Sequence, residues 1–73
     1  MATKTTSKAF AKRLRSRRKS LLLNQKALAK KIGISEGRYE QIESGAELPV
    51  KREMYKLTLE LRTSENWLLN GGI

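Results

Sequence analysis

The 73-residue sequence contains no cysteine, no histidine and no aspartate, and it has a single proline. The chain therefore offers no thiol nucleophile, no imidazole base, no disulfide and no zinc site of the usual ligand types. Seven glutamates are its only carboxylates, which makes paired-carboxylate or metal-dependent hydrolysis a poor fit. We expect a protein that is not an enzyme, binds no metal or cofactor and has no small-molecule substrate.

Long apolar stretches are also missing. No apolar run is longer than that of Leu21 to Leu23, far short of the ~20 residues that a membrane span needs. A basic start without acidic residues is also typical of a mitochondrial presequence, and this alternative stays open. Otherwise we expect a soluble, cytoplasmic protein without membrane contact, and a chain this short predicts one small core rather than two domains.

Basic residues are concentrated in the first part of the chain. Residues 1–31 contain eleven lysines and arginines and no acidic residue, whereas from residue 32 onward five basic residues accompany seven glutamates. The formal net charge is +9. This asymmetry predicts a polyanionic partner, either nucleic acid or an anionic membrane surface, although a charge run is also typical of a solvated face.

Apolar spacing predicts a first helix. Phe10, Leu14 and Leu21 are spaced i, i+4 and i+11 on one face of a helix that begins near Ser7 as its N-cap. Another face carries basic residues at helical spacing, which we call the basic ridge: Lys8, Lys12, Arg15 and Lys19. Residues 1–6 lack an apolar anchor and predict a flexible basic N-terminal arm, so the folded domain is expected to span residues 7–73.

Two short helices joined by a glycine turn follow. Asn24 predicts the N-cap of the second helix, and Gly33 predicts its end because glycine tolerates positive φ. Ser35 predicts the N-cap of the third helix. Such a pair can place its second helix in the major groove of DNA while the first supports it, so the pattern predicts a helix-turn-helix unit.

Two further helices complete the chain. Pro49 suits the first position of a fourth helix. Its predicted buried stripe has 4-3-4 spacing and consists of Val50, Met54, Leu57 and Leu61. Ser64 predicts the N-cap of a last short helix at residues 65–69. Because no strand pattern interrupts these five helices, we expect an all-α fold.

The helix-turn-helix segment resembles a known family. The matching residues are the run LNQKALAKKIGIS at residues 23–35, followed by Tyr39, Ile42, Glu43 and Gly45. They are similar to the helix-turn-helix of lambdoid phage repressors and Cro proteins. The run SENWLLNG at residues 64–71 looks like the closing helix of the same family.

The resemblance covers about residues 8–71 and implies a five-helix, lambda-repressor-like DNA-binding domain. It further implies a sequence-specific transcriptional regulator that binds double-stranded DNA, a repressor rather than an activator. By the same resemblance the protein would occupy a partly palindromic operator as a homodimer and compete there with RNA polymerase.

The resemblance assigns base contacts to the outward face of the third helix. It implies that Gln41 enters the groove, where its amide could pair with an adenine edge. Arg38 could pair with guanine or contact a phosphate, and Glu36 could accept from cytosine or simply stabilise the helix N-terminus. Gly37 departs from the family, whose members often carry a long polar side chain there, so it could permit close backbone approach or make room for Arg38.

Phosphate contacts are implied mainly at the start of the second helix, where free backbone amides favour anions. The loop at Ala46 and Glu47 lacks the basic residues of many relatives, so part of this role is expected to shift to the fourth helix. The predicted phosphate set is Gln25, Asn24, Lys26, Arg18, Ser35, Lys51 and Arg52. Arg18 and Glu43 also match a family ion pair, the alternative being two independent surface charges.

The family implies self-association through the region after the third helix. The predicted dimer surface consists of Trp67, Leu68, Leu69 and Ile73. Packing of these residues onto the first helix is the alternative.

Two other classes of function stay open. A membrane-surface protein would use the first helix as an amphipathic anchor, although Phe10 and Leu14 are needed for the core. A protein-interaction module, or an antitoxin-type partner-binding domain, would use the acidic helix face at Glu36 and Glu40 on a protein instead of DNA.

Overall fold

The structure is a computed structural model that describes residues 5–71 of the chain. Within this range the chain forms five α-helices and no strand, which confirms the all-α, five-helix fold class. The helices are α1 (Thr5–Ser20), α2 (Gln25–Ile32), α3 (Glu36–Glu43), α4 (Lys51–Leu61) and α5 (Glu65–Asn70). None of these described helices has the length and apolar character that crossing a membrane requires.

α1 begins at Thr5, two residues before the predicted N-cap Ser7. It ends at Ser20, so the prediction that Leu21 belongs to this helix is wrong, although Leu21 packs against the core from the following turn. The loop after α3 packs against the N-terminal end of the helix, since an added Cβ on Gly45 would lie 3.6 Å from the Cα of Lys8. This tertiary packing supports a helix start that local capping signals do not predict. Residues 1–4 of the predicted arm lie outside the described residues.

The three short helices begin where their capping residues predict, α2 ends before Gly33 as predicted, and α5 extends one residue further than predicted, to Asn70. Each N-cap side chain accepts the backbone N–H three residues later, at 2.7 Å for Asn24, 3.0 Å for Ser35 and 3.0 Å for Ser64. Gly33 has φ +80° and donates its N–H to carbonyls in the last turn of α2. A side chain at this φ would be strained, so glycine makes the sharp turn into α3 possible.

α4 begins later than its proline predicts. Pro49 precedes the helix, and Val50 is the N-cap with 53% of its surface exposed, so the prediction that Val50 belongs to the buried stripe is wrong. The cause is Glu53, whose Oε1 accepts the N–H of Val50 at 2.9 Å and holds this residue outside the first turn. The other stripe residues are buried: Met54, Leu57 and Leu61.

One apolar core joins all five helices. α1 packs against α3 and α5, α2 packs against α3 and α4, and α4 also packs against α5. The core members are Phe10, Leu14, Leu28, Ala29, Ile32, Tyr39, Ile42, Met54, Leu57, Leu61 and Leu68. Burial of each large side chain contributes roughly 1.5–3 kcal/mol. Tyr39 and Ile42 point inward, so the core determines which face of α3 remains outside.

Arginines of α1 stabilise the C-terminal ends of α4 and α5. Arg13 Nη1 donates to the carbonyl oxygens of Leu68 and Leu69 at 3.0 Å each, and Arg17 Nε donates to that of Leu61 at 2.8 Å. Last-turn carbonyls lack helical partners and carry partial negative charge, so guanidinium groups stabilise them. Part of the basic run of α1 is therefore structural rather than free for a partner.

Candidate nucleic-acid interface

α2 and α3 form the predicted helix-turn-helix unit. With Tyr39 and Ile42 in the core, the opposite side of α3 is exposed. The exposed residues of this outward face are Glu36, Gly37, Glu40, Gln41 and Ser44. Gly37 and Gln41 are one turn apart on the same face. This surface is the part of α3 that a duplex could contact.

A groove of about 700 Å³ lies between α3 and the adjoining ends of α1 and α2. Its lining residues are Arg15, Arg18, Asn24, Gln25, Lys26, Glu36, Glu40, Glu43 and Ser44. The first turn of α2 borders this groove, and the free backbone amides of a helix start favour an anion. The groove brings four predicted phosphate residues together with the predicted base reader Glu36.

Glu43 is the centre of a buried polar cluster, which we call the inner cluster: Arg18, Gln25, Tyr39 and Glu43. The Nε and Nη2 atoms of Arg18 donate to the Glu43 carboxylate at 2.8 and 3.0 Å, and the Tyr39 hydroxyl donates at 2.9 Å. Gln25 Nε2 is a further donor to the same carboxylate. The predicted ion pair between α1 and the end of α3 is confirmed.

The inner cluster has a defined charge state. Burial opposes ionisation of Glu43, but hydrogen bonds from Arg18, Gln25 and Tyr39 outweigh this effect and hold the pKa of Glu43 below its ordinary value. The hydrogen bond to Glu43 raises the pKa of Arg18, and burial raises the pKa of the Tyr39 hydroxyl. At neutral pH the cluster therefore contains one carboxylate, one guanidinium and a neutral phenol that together connect α1, α2 and α3.

Two predicted phosphate residues belong to this cluster. Gln25 uses one amide N–H on Glu43 and keeps a second N–H. Arg18 donates to Glu43 and, through Nη1, to the carbonyl of Leu23 at 2.8 Å, which leaves two of its five N–H donors beside the groove. The phosphate contacts of both residues stay predictions. Their hydrogen bonds to Glu43 orient both side chains before any DNA is bound.

Arg38 lies in a second cluster, which we call the outer cluster: Arg38, Glu47, Glu53 and the backbone N–H of Val50. Arg38 Nε and Nη2 donate to the Glu53 carboxylate at 3.1 and 2.9 Å, and Nη1 donates to Glu47. Hydrogen bonds from Arg38 hold the pKa of Glu53 below its ordinary value. The outer cluster thus connects α3 to the following loop and to the start of α4.

The other predicted contact residues lie outside the lining of the groove. Gln41 is exposed on the outward face of α3, and Ser35 is exposed while its hydroxyl caps the same helix. Lys51 and Arg52 are exposed in the first turn of α4. Apart from its two chain neighbours and the backbone of its own helix, an added Cβ on Gly37 would meet no atom within 4 Å. The suggestion that Gly37 makes room for the neighbouring Arg38 stays a prediction.

The predicted dimer residues divide into three groups. Leu68 is 0% exposed in the core, as the alternative of packing within the chain expects, so its side chain is removed from the dimer surface. Trp67 and Leu69 are half-buried and pack against the core while keeping an exposed part. Ile73 lies outside the described residues.

Sequence reasoning missed the partners of Arg38. Glu47 and Glu53 lie 9 and 15 residues further along the chain, and no helical spacing connects them to α3. One local signal was present, since an acidic residue at the third position of a helix is typical of a capping interaction. That signal identifies Glu53 as a cap, whereas its pairing with Arg38 depends on where the tertiary fold places α3 relative to the start of α4.

These elements define a helix-turn-helix protein of the five-helix type. The chain belongs to the helix-turn-helix domain family, whose match spans residues 11–72. It is also similar to a crystal structure of the P22 c2 repressor protein in complex with synthetic operator 9T in the presence of Tl⁺. The TM-score is 0.81 with 34% identity, covering 85% of this chain and 94% of that chain. The resemblance to lambdoid phage repressors is confirmed.

Proposed function

We propose that the protein is a sequence-specific regulator of transcription that represses by occupying an operator in double-stranded DNA. The observation that carries this proposal is the exposed outward face of α3, held by the core beside the first turn of α2. The similarity to a repressor in complex with an operator supports it. Repression by occupancy requires neither catalysis nor a cofactor, and we assign the protein to the cytoplasm, where it would meet its operator.

In this proposal the outward face of α3 reads bases. Gln41 is exposed, and its amide can form two hydrogen bonds with an adenine edge. Glu36 lies in the groove at the start of α3, where it can accept from a cytosine amino group. Gly37 carries no side chain, and the open space above it permits close approach of a base or a sugar.

Phosphates would be contacted by residues of four helices. The first turn of α2 presents Asn24, Gln25 and Lys26 along the groove, with Arg18 of α1 beside them. Lys51 and Arg52 are exposed at the start of α4, and Ser35 is exposed at the start of α3. Contacts of this kind fix the position of a protein on the duplex and leave sequence readout to the bases.

We further propose a homodimer on a palindromic operator. A single recognition helix reads only a few base pairs, so two-fold assembly on half-sites about one helical turn apart is the expected solution. The exposed parts of Trp67 and Leu69 on α5 are the proposed contact.

Selection of bound duplexes from a random pool tests the proposal directly. We expect enrichment of one sequence, and recovery of an inverted repeat would support the dimer at the same time. Binding that stays independent of sequence through every round of selection would reject sequence-specific regulation. A single unrepeated half-site would reject only the dimer.

Replacing Gln41 with alanine tests the base contact. We expect affinity for the selected site to fall by about 1–3 kcal/mol and selectivity to relax at one base pair. Competition binding with single-base variants of the site measures both effects. Uniform weakening on every sequence would contradict base reading by Gln41.

Replacing Lys26 with alanine tests the phosphate contact. All duplexes should be weakened alike, and the slope of log affinity against log salt should fall by about one unit. Lys30 is exposed on the same helix outside the groove, so Lys30→Ala is the matched control. A salt slope that Lys26→Ala leaves unchanged would remove Lys26 from the phosphate set.

Binding of a protein through the acidic face of α3 is the second candidate. Glu36 and Glu40 are exposed in the groove, and neither takes part in the inner or the outer cluster. Replacing both with glutamine should leave the salt dependence of DNA binding intact and should abolish capture of a basic partner. Duplex affinity with little dependence on salt would favour this second candidate.

A further inference from the structure

Arg38 is held by the protein itself, although it lies on the helix proposed to read DNA. Each of its three guanidinium nitrogens donates to a carboxylate of the same chain, two of them to Glu53 and one to Glu47. A bidentate pair of this kind has a fixed geometry, because two parallel hydrogen bonds orient the planar guanidinium. The Arg38 side chain is 24% exposed and that of Glu53 is 10% exposed, so solvent screens the pair only in part.

Glu53 makes a second interaction that concerns α4. Its Oε1 atom accepts the N–H of Val50 at 2.9 Å, so the same carboxylate that binds Arg38 also fixes where α4 begins. The two residues after Val50, Lys51 and Arg52, are the exposed cations of the first turn of α4. The chain of contacts therefore runs from α3 through Arg38 and Glu53 to the turn that carries both cations.

We infer that Arg38 is a positioning residue that sets the orientation of the reading face of α3 relative to the phosphate-contacting turn of α4, and that it acts through Glu53 without touching a base or a phosphate. The inference rests on the proposed DNA-binding function and deepens it. The specificity of the protein then depends on an ion pair that makes no contact with the nucleic acid. The physical basis is that Gln41 can read a base only if its amide lies within hydrogen-bond distance of that base while the phosphate contacts are also made.

A direct contact of Arg38 with a base or a phosphate would require the outer cluster to break. A guanidinium that turned to guanine or phosphate would leave the Glu53 carboxylate, which is nine-tenths buried, without its charged partner close to a polyanion. Removing one partner of such a pair is costly because the remaining charge is not compensated. Glu47 would also remain near the duplex as an unpaired, exposed carboxylate.

The substitution Glu53→Gln distinguishes positioning from general electrostatics, because the two predict changes of opposite sign in the affinity for the selected site. The substitution removes a negative charge, so charge alone would raise affinity for every duplex. Positioning predicts the opposite for the selected site, with affinity falling about tenfold, while binding to unrelated duplex is unchanged or stronger. Affinities are measured on both duplexes across a salt series, at a temperature where circular dichroism shows the variant to be folded.

Arg38→Gln provides the reciprocal test. We expect a loss of about tenfold on the selected site, spread over several base pairs, with the salt slope unchanged. The double variant Arg38→Gln with Glu53→Gln should be no weaker than the weaker single variant, because both lose the same connection. Glu47→Gln is the matched control, since Glu47 pairs with the same arginine but is mostly exposed and does not touch Val50, and it should change affinity by about twofold or less.

Several outcomes would overturn the inference. Selectivity lost at a single G·C pair in Arg38→Gln would show direct reading of guanine, and a salt slope lower by about one unit would show a phosphate contact. Stronger binding of the Glu53→Gln variant to the selected site would show that release of Arg38 from Glu53 increases DNA affinity. Failure of the unaltered protein to prefer any duplex would reject the proposed function and this inference with it, whereas normal preference that persists in all variants would reject the inference alone.

Discussion

The inner cluster connects α3 to α1 and α2, the outer cluster connects α3 to the start of α4, and the two clusters differ in burial. In the inner cluster the side chains of Arg18 and Glu43 are 9% and 3% exposed, whereas those of Arg38 and Glu53 in the outer cluster are 24% and 10% exposed. Both are bidentate arginine–glutamate pairs with a backbone or side-chain donor added to the carboxylate. The same chemistry is thus placed in two different environments.

The difference in burial indicates that the inner cluster maintains the fold and that the outer cluster adjusts the geometry of the site. A buried charge that loses its partner cannot be hydrated, so the inner cluster must stay intact for the protein to remain folded. A partly exposed pair is screened by water and salt and contributes less to stability. Its contribution lies instead in the geometry that it imposes between α3 and α4.

The largest expected effect is on the inner cluster. Glu43→Ala should lower the free energy of unfolding by about 3–5 kcal/mol, because Arg18 is then buried without a counter-charge. Urea and thermal unfolding measure the loss. Glu40→Ala on the exposed face of the same helix is the control and should stay within about 0.5 kcal/mol. A Glu43→Ala variant as stable as this control would contradict the structural role of the inner cluster.

A smaller loss is expected when the outer cluster is broken. Glu53→Ala removes the partner of Arg38 and the acceptor for the Val50 N–H, and we expect a cost of about 1–2 kcal/mol. The same urea titration, repeated at high salt, should show a smaller cost because solvent ions screen a partly exposed pair. The distinction between the clusters would fail if Glu53→Ala were as destabilising as Glu43→Ala.

Acid should weaken the inner cluster in a defined pH range. The pKa of Glu43 in the folded protein lies below its ordinary value of 4.5, so the unfolded chain binds the proton more readily. The stabilisation is fully present above that ordinary value and is lost as the pH falls through the folded pKa. Urea titrations at a series of pH values should show this decline in the unaltered protein and a shallower one in Glu43→Gln. Equal slopes would speak against the inner cluster as an acid-sensitive element.

The smallest effect concerns a residue of α3 that belongs to neither cluster. Gly37→Ala places a methyl group in open space on a helix, and we expect the free energy of unfolding to rise by about 0.5–1 kcal/mol. Thermal unfolding measures the gain. A destabilised variant would mean that α3 needs flexibility at this position, and the two clusters would then not be sufficient to hold the helix.

Local signals predicted most of the fold. Asn24, Ser35 and Ser64 cap the helices that they were expected to cap, and Gly33 adopts the left-handed conformation that ends α2. These predictions succeed because a cap depends on residues within one turn. Val50 shows the limit, since its exposure follows from a hydrogen bond to Glu53 that proline position and apolar spacing do not reveal.

The candidate site was predicted in its parts but not in its connections. Gln25, Lys26 and Glu36 were chosen one by one, and the structure brings them to one groove. Arg38 was expected to contact DNA, which stays a prediction, and its pairing with two glutamates was not foreseen. Long charged side chains can reach many partners, and their choice depends on which elements pack side by side.

By itself the sequence determined that there are five helices, the N-caps of the three short ones and most of the residues that face the core, because capping and apolar spacing act over three or four residues. Only the tertiary structure decided the partners of the arginines: Arg13 and Arg17 reach carbonyls 44–56 residues away, and Arg38 reaches α4. Charge marks a residue as able to bind an anion, but the distance to that anion is set by the packing of the core.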